Sequence, residues 1–448
     1  MREIIEKAQA KGAGQCEVFY LNSLNTEVEY EASKLKNVSN TEETGYALRL
    51  VKEGRLGFAT TTKADGIDRL VDDAIATSAC GDEVGYGFAP LSDVREVPTI
   101  DPAITALSLE DMMKRSEDAI AKVLDYEGEI NASSGTNRKQ QTVGVCTSEG
   151  FEGTQERTLY QFYVYGLLVE GDNMLNCGAS YAGTAMDGGG DELIDRTIED
   201  FRNGRTNVSV STGPTTVILT PRAVSDVFLT LNYGLNGSMV DRKVSPLTGR
   251  IGETIFDERI SLCDDGHMST GYSSALFDDE GVPMQRTQLI DGGVLKSFIT
   301  DLRTAAKLDM PLTGNGLKLK RLVQTKELGQ MPSPEITNWS MAGGDKPYAE
   351  LLSEVGDGVI VDSIMGIMMG NLVAGDFSGN VDLGFKVEGG KIVGRVKDTM
   401  ISGNVYSLFK DNLVALSKEV VRTGLMGFIG SHDYPYVVLS DVAISSKS

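Results

Sequence analysis

The stretch TVILTPRAVSDVFLTLNYGLNG, residues 216–237, decides how the rest of this chain is interpreted. It begins as an apolar strand and turns at Thr220-Pro221, where a threonine N-cap before a proline at the first helical position predicts the start of a helix. Apolar residues then recur at helical spacing, so one face of the helix is expected to be buried. We expect the helix to end near residues 234–237, where two glycines and an asparagine permit left-handed backbone. The helix carries no histidine.

Chain length and charge limit the classes of protein that the sequence can represent. A chain of 448 residues is too long for one ordinary hydrophobic core, so at least two domains are expected. The formal net charge is −22, and the acidic residues are spread along the chain. Because affinity for nucleic acid comes mainly from Lys and Arg, a nucleic-acid partner is not expected.

The cysteines and the apolar segments indicate a cellular compartment. Five cysteines are widely scattered without a CxxC pair, which argues against a zinc ribbon or a disulfide framework and predicts free, buried thiols. Residues 1–7 lack the apolar core of a signal peptide, and the apolar run at 364–374 is too short to span a bilayer. We therefore expect a soluble, cytoplasmic protein without a membrane partner.

The N-terminal part reads as two units with the same pattern. Residues 1–80 and 105–205 each predict a helix, four strands and a second helix. The predicted strands are 16–21, 26–31, 45–51 and 56–60 in the first unit, and 129–133, 142–148, 158–170 and 174–181 in the second. Together these units would form an N-terminal α+β domain over residues 1–212.

From Thr216 onward, the sequence predicts mostly strands and turns. A hairpin is predicted across Gly292-Gly293, a short helix over residues 302–308, and a longer helix over 405–421. Segregated strands and helices indicate an α+β chain, in which residues 213–448 form a largely antiparallel or mixed β domain with a few helices.

Few residues offer chemistry. The only histidines, His267 and His432, are far apart in the chain, whereas a zinc hydrolase site usually needs two or three histidines and a carboxylate. Cys263 lies four residues before His267, but a Cys–His pair has to be assembled in space, and the residues between them read as a turn. Residues 278–280, Asp-Asp-Glu, lack the spacing of a calcium loop and are expected to form a solvated acidic turn.

Several stretches in a fixed order resemble the TldD/PmbA family. In the N-terminal half they are GYALR (45–49) and GRLGFA (54–59). In the C-terminal half they are FDDEGVP (277–283), LIDGGVLK (289–296), LTGNG (312–316), GDFS (375–378) and GFKVEGG (384–390). The resemblance covers essentially the whole chain, and the ordered combination is more specific than any one motif.

The family that this chain resembles has two branches. TldD-like members are metallopeptidases with HExxxH on a helix, and PmbA-like (TldE) members lack this motif and partner them. Matching the family's loop onto residues 234–237 places Phe228 and Tyr233 at the two histidine positions and Leu229 at the glutamate position. Phe and Leu have no lone pair, and a neutral Tyr is a poor zinc ligand. The cysteine expected near the C-terminus is also missing from residues 419–448. The chain thus resembles the PmbA branch, with no catalytic or metal-binding residue of its own.

This resemblance leads to one main hypothesis and two alternatives. The main hypothesis is a non-catalytic subunit of a TldD/TldE-type metallopeptidase that processes or degrades unfolded peptides. Its partner would be a TldD-like subunit, a second copy of this chain, or both; zinc would be held by the TldD-like subunit, and this chain would need no cofactor. The first alternative is a stand-alone homo-oligomeric peptide-binding or scaffold protein. The second is an independent hydrolase with an unrecognised site, for which changes at Cys263, His267 or His432 should abolish cleavage.

Peptide-binding candidates follow from position alone. Four lie around the end of the predicted helix and two lie in a family-like loop: Asn232, Asn236, Asp241 and Arg242, and Thr313 and Asn315. For each residue, helix capping or turn stabilisation is an equally open interpretation.

Overall fold

The structure is a computed structural model, and it describes residues 1–63, 65–319, 326–423 and 431–447. Its helices are α1 (Arg2–Ala10), α2 (Ile67–Ser78), α3 (Pro102–Ala106), α4 (Leu109–Tyr126), α5 (Asp191–Gly204), α6 (Pro221–Leu235), α7 (Gly237–Asp241), α8 (Leu302–Leu308), α9 (Tyr348–Val355) and α10 (Val405–Asp411). The first ten strands are β1 (Gln15–Glu31), β2 (Lys34–Lys52), β3 (Arg55–Thr61), β4 (Asn131–Thr147), β5 (Glu152–Glu170), β6 (Asn173–Gly183), β7 (Asn207–Val208), β8 (Gly213–Leu219), β9 (Leu262–Asp265) and β10 (Arg286–Asp291). The other ten are β11 (Val294–Leu295), β12 (Gly316–Leu317), β13 (Ser333–Pro334), β14 (Trp339–Met341), β15 (Gly358–Met365), β16 (Asp376–Glu388), β17 (Lys391–Val396), β18 (Thr399–Asn404), β19 (Leu413–Thr423) and β20 (His432–Ser446). With 24% helix and 44% strand, the α+β class is confirmed.

The N-terminal half forms one six-stranded antiparallel sheet with the order β3-β2-β1-β4-β5-β6. Strands β1 and β4 pair at its centre, in a register that runs from Glu17 opposite Thr147 to Tyr30 opposite Ser134. Each predicted unit therefore contributes three adjacent strands, and the two units join through the first strand of each.

The strand count corrects the sequence prediction of four strands in each unit. The predicted strands at 16–21 and 26–31 are halves of β1, and those at 129–133 and 142–148 belong to the single strand β4. The mostly polar residues 22–25, Asn-Ser-Leu-Asn, have low strand propensity and separate the two predicted strands. Since β2 and β4 flank β1 on both sides, their ladders of backbone hydrogen bonds keep this run extended despite its low strand propensity.

The C-terminal half is built on a twelve-stranded mixed sheet. Its central order is β11-β10-β9-β14-β20-β8-β15-β16-β17-β7, while β18 pairs with β16 and β20, and β19 pairs with β20. The helix predicted over residues 405–421 is wrong beyond Asp411, because Leu413–Thr423 is strand β19. Its branched residues Val420 and Val421 lie opposite Pro435 and Tyr434 of β20, so tertiary pairing overrides the helical spacing of the apolar residues.

Helix α6 follows directly from a central strand. Strand β8 lies between β20, which is antiparallel to it, and β15, which is parallel. Thr220 caps the helix with its hydroxyl, which accepts the N–H of Ala223 at 3.4 Å, and Pro221 occupies the first helical position as predicted. The sequence around the turn therefore sets where α6 begins.

The end of α6 differs from the prediction in its backbone. Gly234 and Gly237 do not adopt positive φ, and Asn236 at the C-cap is extended with φ −84°. Both glycines serve close packing instead: a Cβ on Gly234 would lie 2.1 Å from the Tyr406 hydroxyl oxygen, and one on Gly237 would lie 2.7 Å from the Ile299 carbonyl oxygen.

Alternate residues of β8 face two different cores. Val217 and Leu219 belong to the cluster that packs against α6, whereas Ile218 belongs to a cluster with Phe162 and Phe201 of the N-terminal half. The large sheet is therefore covered on both faces, by α6 on one side and by the N-terminal half on the other. None of the helices within the described ranges is long and apolar enough to cross a membrane.

Candidate functional site

Phe228 lies on the buried face of α6 inside a group of aromatic rings. Its side chain is 1% exposed, and its ring centroid lies 5.0 Å from that of Phe409, 5.5 Å from that of Tyr434 and 6.5 Å from that of Trp339. Tilted and edge-on contacts at these distances are favourable for aromatic pairs. The position is thus filled by packed apolar rings.

The other two motif positions do not supply a metal site either. Leu229 is half-buried against the same core, and Tyr233, one turn further along, is also half-buried. Phenylalanine and leucine have no donor atom, so zinc would have at most the phenol of Tyr233 from these three positions. The residues present do not fit the zinc site that the resemblance implies for TldD-like members.

His432 lies beside this aromatic group. Its ring stacks on Tyr434, with centroids 5.6 Å apart and an interplanar angle of 13°, and its Nδ1 accepts the backbone N–H of Trp339 at 3.2 Å. Accepting on Nδ1 places the proton of the neutral ring on Nε2. The histidine is 3% exposed, so it belongs to the packed wall next to α6.

Cys263 and His267 do not form a catalytic pair in this structure. The thiol of Cys263 donates to the carbonyl of Ser340 at 3.7 Å, and burial raises the pKa of this thiol. Burial, and secondarily Arg95, lowers the pKa of His267. Nothing among the described contacts joins the two side chains, and a buried thiol with a raised pKa is a poor nucleophile. Of the five cysteines, four are buried as predicted, whereas Cys80 is exposed.

The acidic triplet at 278–280 corrects the prediction of a solvated turn. Asp278, Asp279 and Glu280 are 1%, 0% and 1% exposed. The carboxylate of Asp278 accepts three backbone N–H groups, including that of Gly316 at 2.8 Å. Asp279 pairs with the ammonium of Lys326. The residue types favoured exposure because isolated carboxylates avoid apolar cores, whereas these accept from neighbouring backbone N–H groups and from partners distant in the sequence, among them Lys326 and Arg49.

Glu280 ties the C-terminal half to the first sheet. Arg49 of β2 donates from one guanidinium to Glu17 of β1 and, at 2.9 Å, to Glu280. All three side chains are buried, and Glu280 also accepts the N–H of Leu302 at 2.8 Å. Burial, opposed by Arg49, raises the pKa of Glu280 to about 7. Glu280 is therefore buried because its ion pair and hydrogen bond link the C-terminal half to the six-stranded sheet.

The candidates at the end of α6 make different contacts. Asn236 accepts the N–H of Ser238 at 2.9 Å and donates to the Pro334 carbonyl at 2.7 Å, so it caps α7. Asn232 is half-buried, and its Oδ1 is buried without a hydrogen-bond partner among the described residues. Asp241 accepts from Lys307 at 3.2 Å, and Arg242 is exposed. Their assignment to peptide binding stays a prediction.

Thr313 and Asn315 lie inside the fold. Thr313 is 3% exposed, and its hydroxyl accepts the N–H of Thr300 at 2.8 Å. Asn315 is fully buried and donates to Asp264 at 2.8 Å and to the Glu335 carbonyl at 2.9 Å. A peptide would reach these side chains only after the loop moved, so their role in peptide binding also stays a prediction.

A cleft of about 610 Å³ opens between the two halves of the chain, near the start of α6. Its walls come from β6, α5, α6 and β19, and they carry three arginines: Arg196, Arg222 and Arg422. Both Nε and Nη2 of Arg422 donate to Asp433, at 2.9 and 3.1 Å, and its Nη1 donates to Thr270. This third arginine is therefore already matched by a carboxylate.

The other two arginines share one carboxylate. Asp362 of β15 is buried and accepts from Arg196 at 2.7 Å, from the Thr220 hydroxyl at 3.0 Å and from Arg222 at 3.4 Å. Arg222 also donates to the carbonyl of Gly178. Asp362 thus joins α5, the N-cap of α6 and the large sheet.

Two further buried carboxyl groups lie next to this pair of arginines. Burial raises the pKa of Asp226 to about 7, against the opposing effect of Arg222, and Asp226 accepts the backbone N–H of Ile364 at 3.0 Å. Burial and the neighbouring Asp362 raise the pKa of Asp200 to about 7. Near neutral pH these carboxyl groups are therefore partly protonated and neutralise the arginines incompletely.

The sequence reading missed this cleft. One signal was available, because Arg222 and Asp226 lie one turn apart on a helix whose other face is apolar. The remaining residues come from α5, β15 and β19, which are distant in the sequence, and only the packing of the two halves brings them together.

Comparison with family models and known proteins agrees with this architecture. Models described as PmbA/TldA metallopeptidase domain 1, central domain and C-terminal domain match residues 16–78, 102–205 and 212–446. A metalloprotease of Methanothermobacter thermautotrophicus is 26% identical over 392 residues, which cover 84% of this chain and 82% of that protein. A protein of Methanocaldococcus jannaschii is 24% identical over 420 residues, covering 91% of this chain and 93% of its own length.

Solved structures share the fold. The crystal structure of TldE from Thermococcus kodakarensis superposes with a TM-score of 0.90 at 20% identity, covering 100% of both chains. Matches to all three successive domains, in the order that the motifs predicted, account for most of the sequence. The chain therefore belongs to the TldD/PmbA family, and, as in its PmbA (TldE) branch, the sequence lacks HExxxH.

Proposed function

We propose that this chain is a non-catalytic subunit of a TldD/TldE-type metallopeptidase complex that acts on unfolded peptides. The observation that supports this most strongly is the environment of Phe228. A histidine position of the catalytic motif is occupied here by a ring packed against Phe409, Tyr434 and Trp339. An apolar site of this kind has no ligand to offer zinc, so the metal and the activated water belong to a TldD-like partner.

The contribution of this chain is then to bind and orient the peptide. The cleft beside α6 is bordered by β6, at the end of the six-stranded sheet, and by β19 of the large sheet. Strands at sheet borders can pair with an extended peptide through backbone hydrogen bonds, which bind many sequences with little selectivity. This property suits a peptidase complex that accepts unfolded chains.

The test is reconstitution with an HExxxH-containing relative from the same genome. We expect the two chains to co-purify, and we expect the pair to cleave an unfolded peptide much faster than either chain alone. Leu229→Ala in this chain should leave cleavage within about twofold, because Leu229 has no proton-transfer group. The matched change, from the motif glutamate of the relative to alanine, should abolish cleavage.

Two results would contradict the proposal. One is peptide cleavage by this chain alone that is lost after chelation. The other is failure of the pair to associate while this chain forms a stable homo-oligomer that leaves the relative's activity unchanged; that outcome would favour a stand-alone binding or scaffold protein.

A further inference from the structure

Arg196 and Arg222 carry more hydrogen-bond donors than their protein partners use. A guanidinium has five N–H donors. Within the part of the chain that the structure describes, Arg196 donates once, to Asp362, and Arg222 donates to Asp362 and to Gly178. Both side chains are partly exposed, at 35% and 27%, and both line the cleft. The unused donors are therefore accessible to a ligand in the cleft.

The charges around these two arginines leave room for another anion. Among the described residues, Asp362 is the carboxylate that both guanidinium groups contact, and burial raises the pKa values of the neighbouring Asp200 and Asp226, which weakens their neutralisation of the arginines. Three other acidic groups line the cleft. Asp433 pairs with Arg422, Asp187 accepts the hydroxyl of Tyr181, and Glu192 is exposed to solvent. A planar anion that accepts two parallel hydrogen bonds, such as a carboxylate, fits a guanidinium best.

The shape of the cleft indicates where that carboxylate lies in its ligand. One wall is formed by residues 178–181 of β6 and another by 420–423 of β19. A peptide extended along β6 reaches Arg222 at the start of α6, because Arg222 already contacts Gly178 of β6. The group that ends an extended peptide is its main-chain carboxylate, which needs no particular side chain.

We propose that this cleft binds the C-terminal carboxylate of an extended peptide, with Arg196 and Arg222 as the anion-binding pair. The inference rests on the proposed function for the class of ligand, an unfolded peptide, and adds the group that is recognised. In this proposal, this chain is the subunit that binds the free C-terminal end of the peptide, whatever the sequence before that end.

The experiment uses the purified full-length chain and fluorescein-labelled ten-residue peptides of Gly, Ser and Ala, followed by fluorescence anisotropy. One peptide has a free C-terminal carboxylate, the second is amidated at that end, and the third is amidated but contains one internal Glu. We expect the free acid to bind at least tenfold more tightly than both amidated peptides, which corresponds to about 1.4 kcal/mol or more. In Arg196→Gln this preference should fall below about threefold.

Arg205→Gln is the matched control, since Arg205 directly follows α5 but lies outside the cleft lining and pairs with Glu127 and Glu170. It should keep the tenfold preference for the free acid. Equal binding of the acid and its amide, or equal binding of the acid and the internal-Glu peptide, would overturn the proposal. If Arg196→Gln does not fold, the comparison of peptides on the wild-type chain still decides. Reconstitution with the HExxxH relative is a separate measurement, so either proposal can fail without the other.

Discussion

Phe228 and Glu280 are equally buried, at 1% exposure each, but Phe228 is surrounded by apolar rings and Glu280 by polar partners. Phe228 packs among aromatic rings within the large core. Glu280 lies between the guanidinium of Arg49 and a backbone N–H, in a network that joins the C-terminal half to the first sheet. The first region is stabilised by apolar contact area and the second by matched charges. Two residues of family motifs are thus buried for different reasons. Phe228 fills a position among apolar rings, and Glu280 links two parts of the fold.

The largest expected effect comes from breaking the charged region. Arg49→Ala leaves Glu17 and Glu280 buried without their cation and should lower the free energy of unfolding by about 3–5 kcal/mol. Urea denaturation followed by circular dichroism measures this loss. Arg55→Ala, in an exposed pair with Glu83, is the control and should cost less than about 1 kcal/mol. Similar losses in the two variants would show that the buried network contributes no special linkage.

Truncation in the apolar region should have a comparable or slightly smaller effect. Phe228→Ala removes a ring that contacts three others and should lower the free energy of unfolding by about 3 kcal/mol. Leu229→Ala, at the neighbouring half-buried position, should cost about half as much. The same denaturation experiment compares them, and a Phe228→Ala variant as stable as wild type would contradict the view that this position is a packed core.

The free energy of unfolding is also expected to depend on pH through Asp226, which lies on α6 two residues before Phe228. The pKa of Asp226 is raised from 3.8 to about 7, so the folded state binds the proton more tightly than the unfolded state. The contribution of this group to the free energy of unfolding therefore falls as pH rises from about 4 to 7. Asp226→Asn removes this dependence while its side-chain oxygen can still accept from Ile364.

Relative to wild type, Asp226→Asn should gain about 2 kcal/mol between pH 5 and pH 7. Thermal unfolding of both proteins across this range measures the difference, in which the other titrating groups cancel. A constant difference between the two proteins would show that Asp226 is ionised throughout the range in the folded state.

The smallest effects are expected at the end of α6. Asn232→Ala should change the free energy of unfolding by less than about 0.5 kcal/mol, because its buried Oδ1 has no partner among the described residues. Asn236→Ala removes the cap of α7 and should cost about 1 kcal/mol. If Asn232→Ala costs as much as Asn236→Ala, Asn232 has a structural role that its contacts do not explain.

Local signals predicted much of the fold. Thr220 and Pro221 predicted the start of α6, and residues 302–308 match α8. Failures occurred where partners distant in the sequence decide the structure. Pairing with β20 makes a strand of residues 413–423, and flanking ladders keep Asn22–Asn25 extended. No local pattern contains these partners.

The candidate site was predictable only in part. The poor fit of Phe228, Leu229 and Tyr233 to a zinc site is an expectation from the residue types once the motif is aligned, and the structure adds the aromatic packing around Phe228. Burial of the acidic triplet was not predictable, because Arg49 lies more than 200 residues from Glu280. For the same reason Arg196 and Asp362 could not be placed together.

Metal content and activity of the separated and combined chains test the central claim most directly. Zinc would be measured by mass spectrometry, alongside cleavage of an unfolded peptide, for this chain, for its HExxxH relative and for the pair. The account predicts no stoichiometric zinc in this chain, zinc in the relative, and full activity only in the pair. One zinc ion per molecule in this chain, together with peptide cleavage that disappears on chelation, would contradict it.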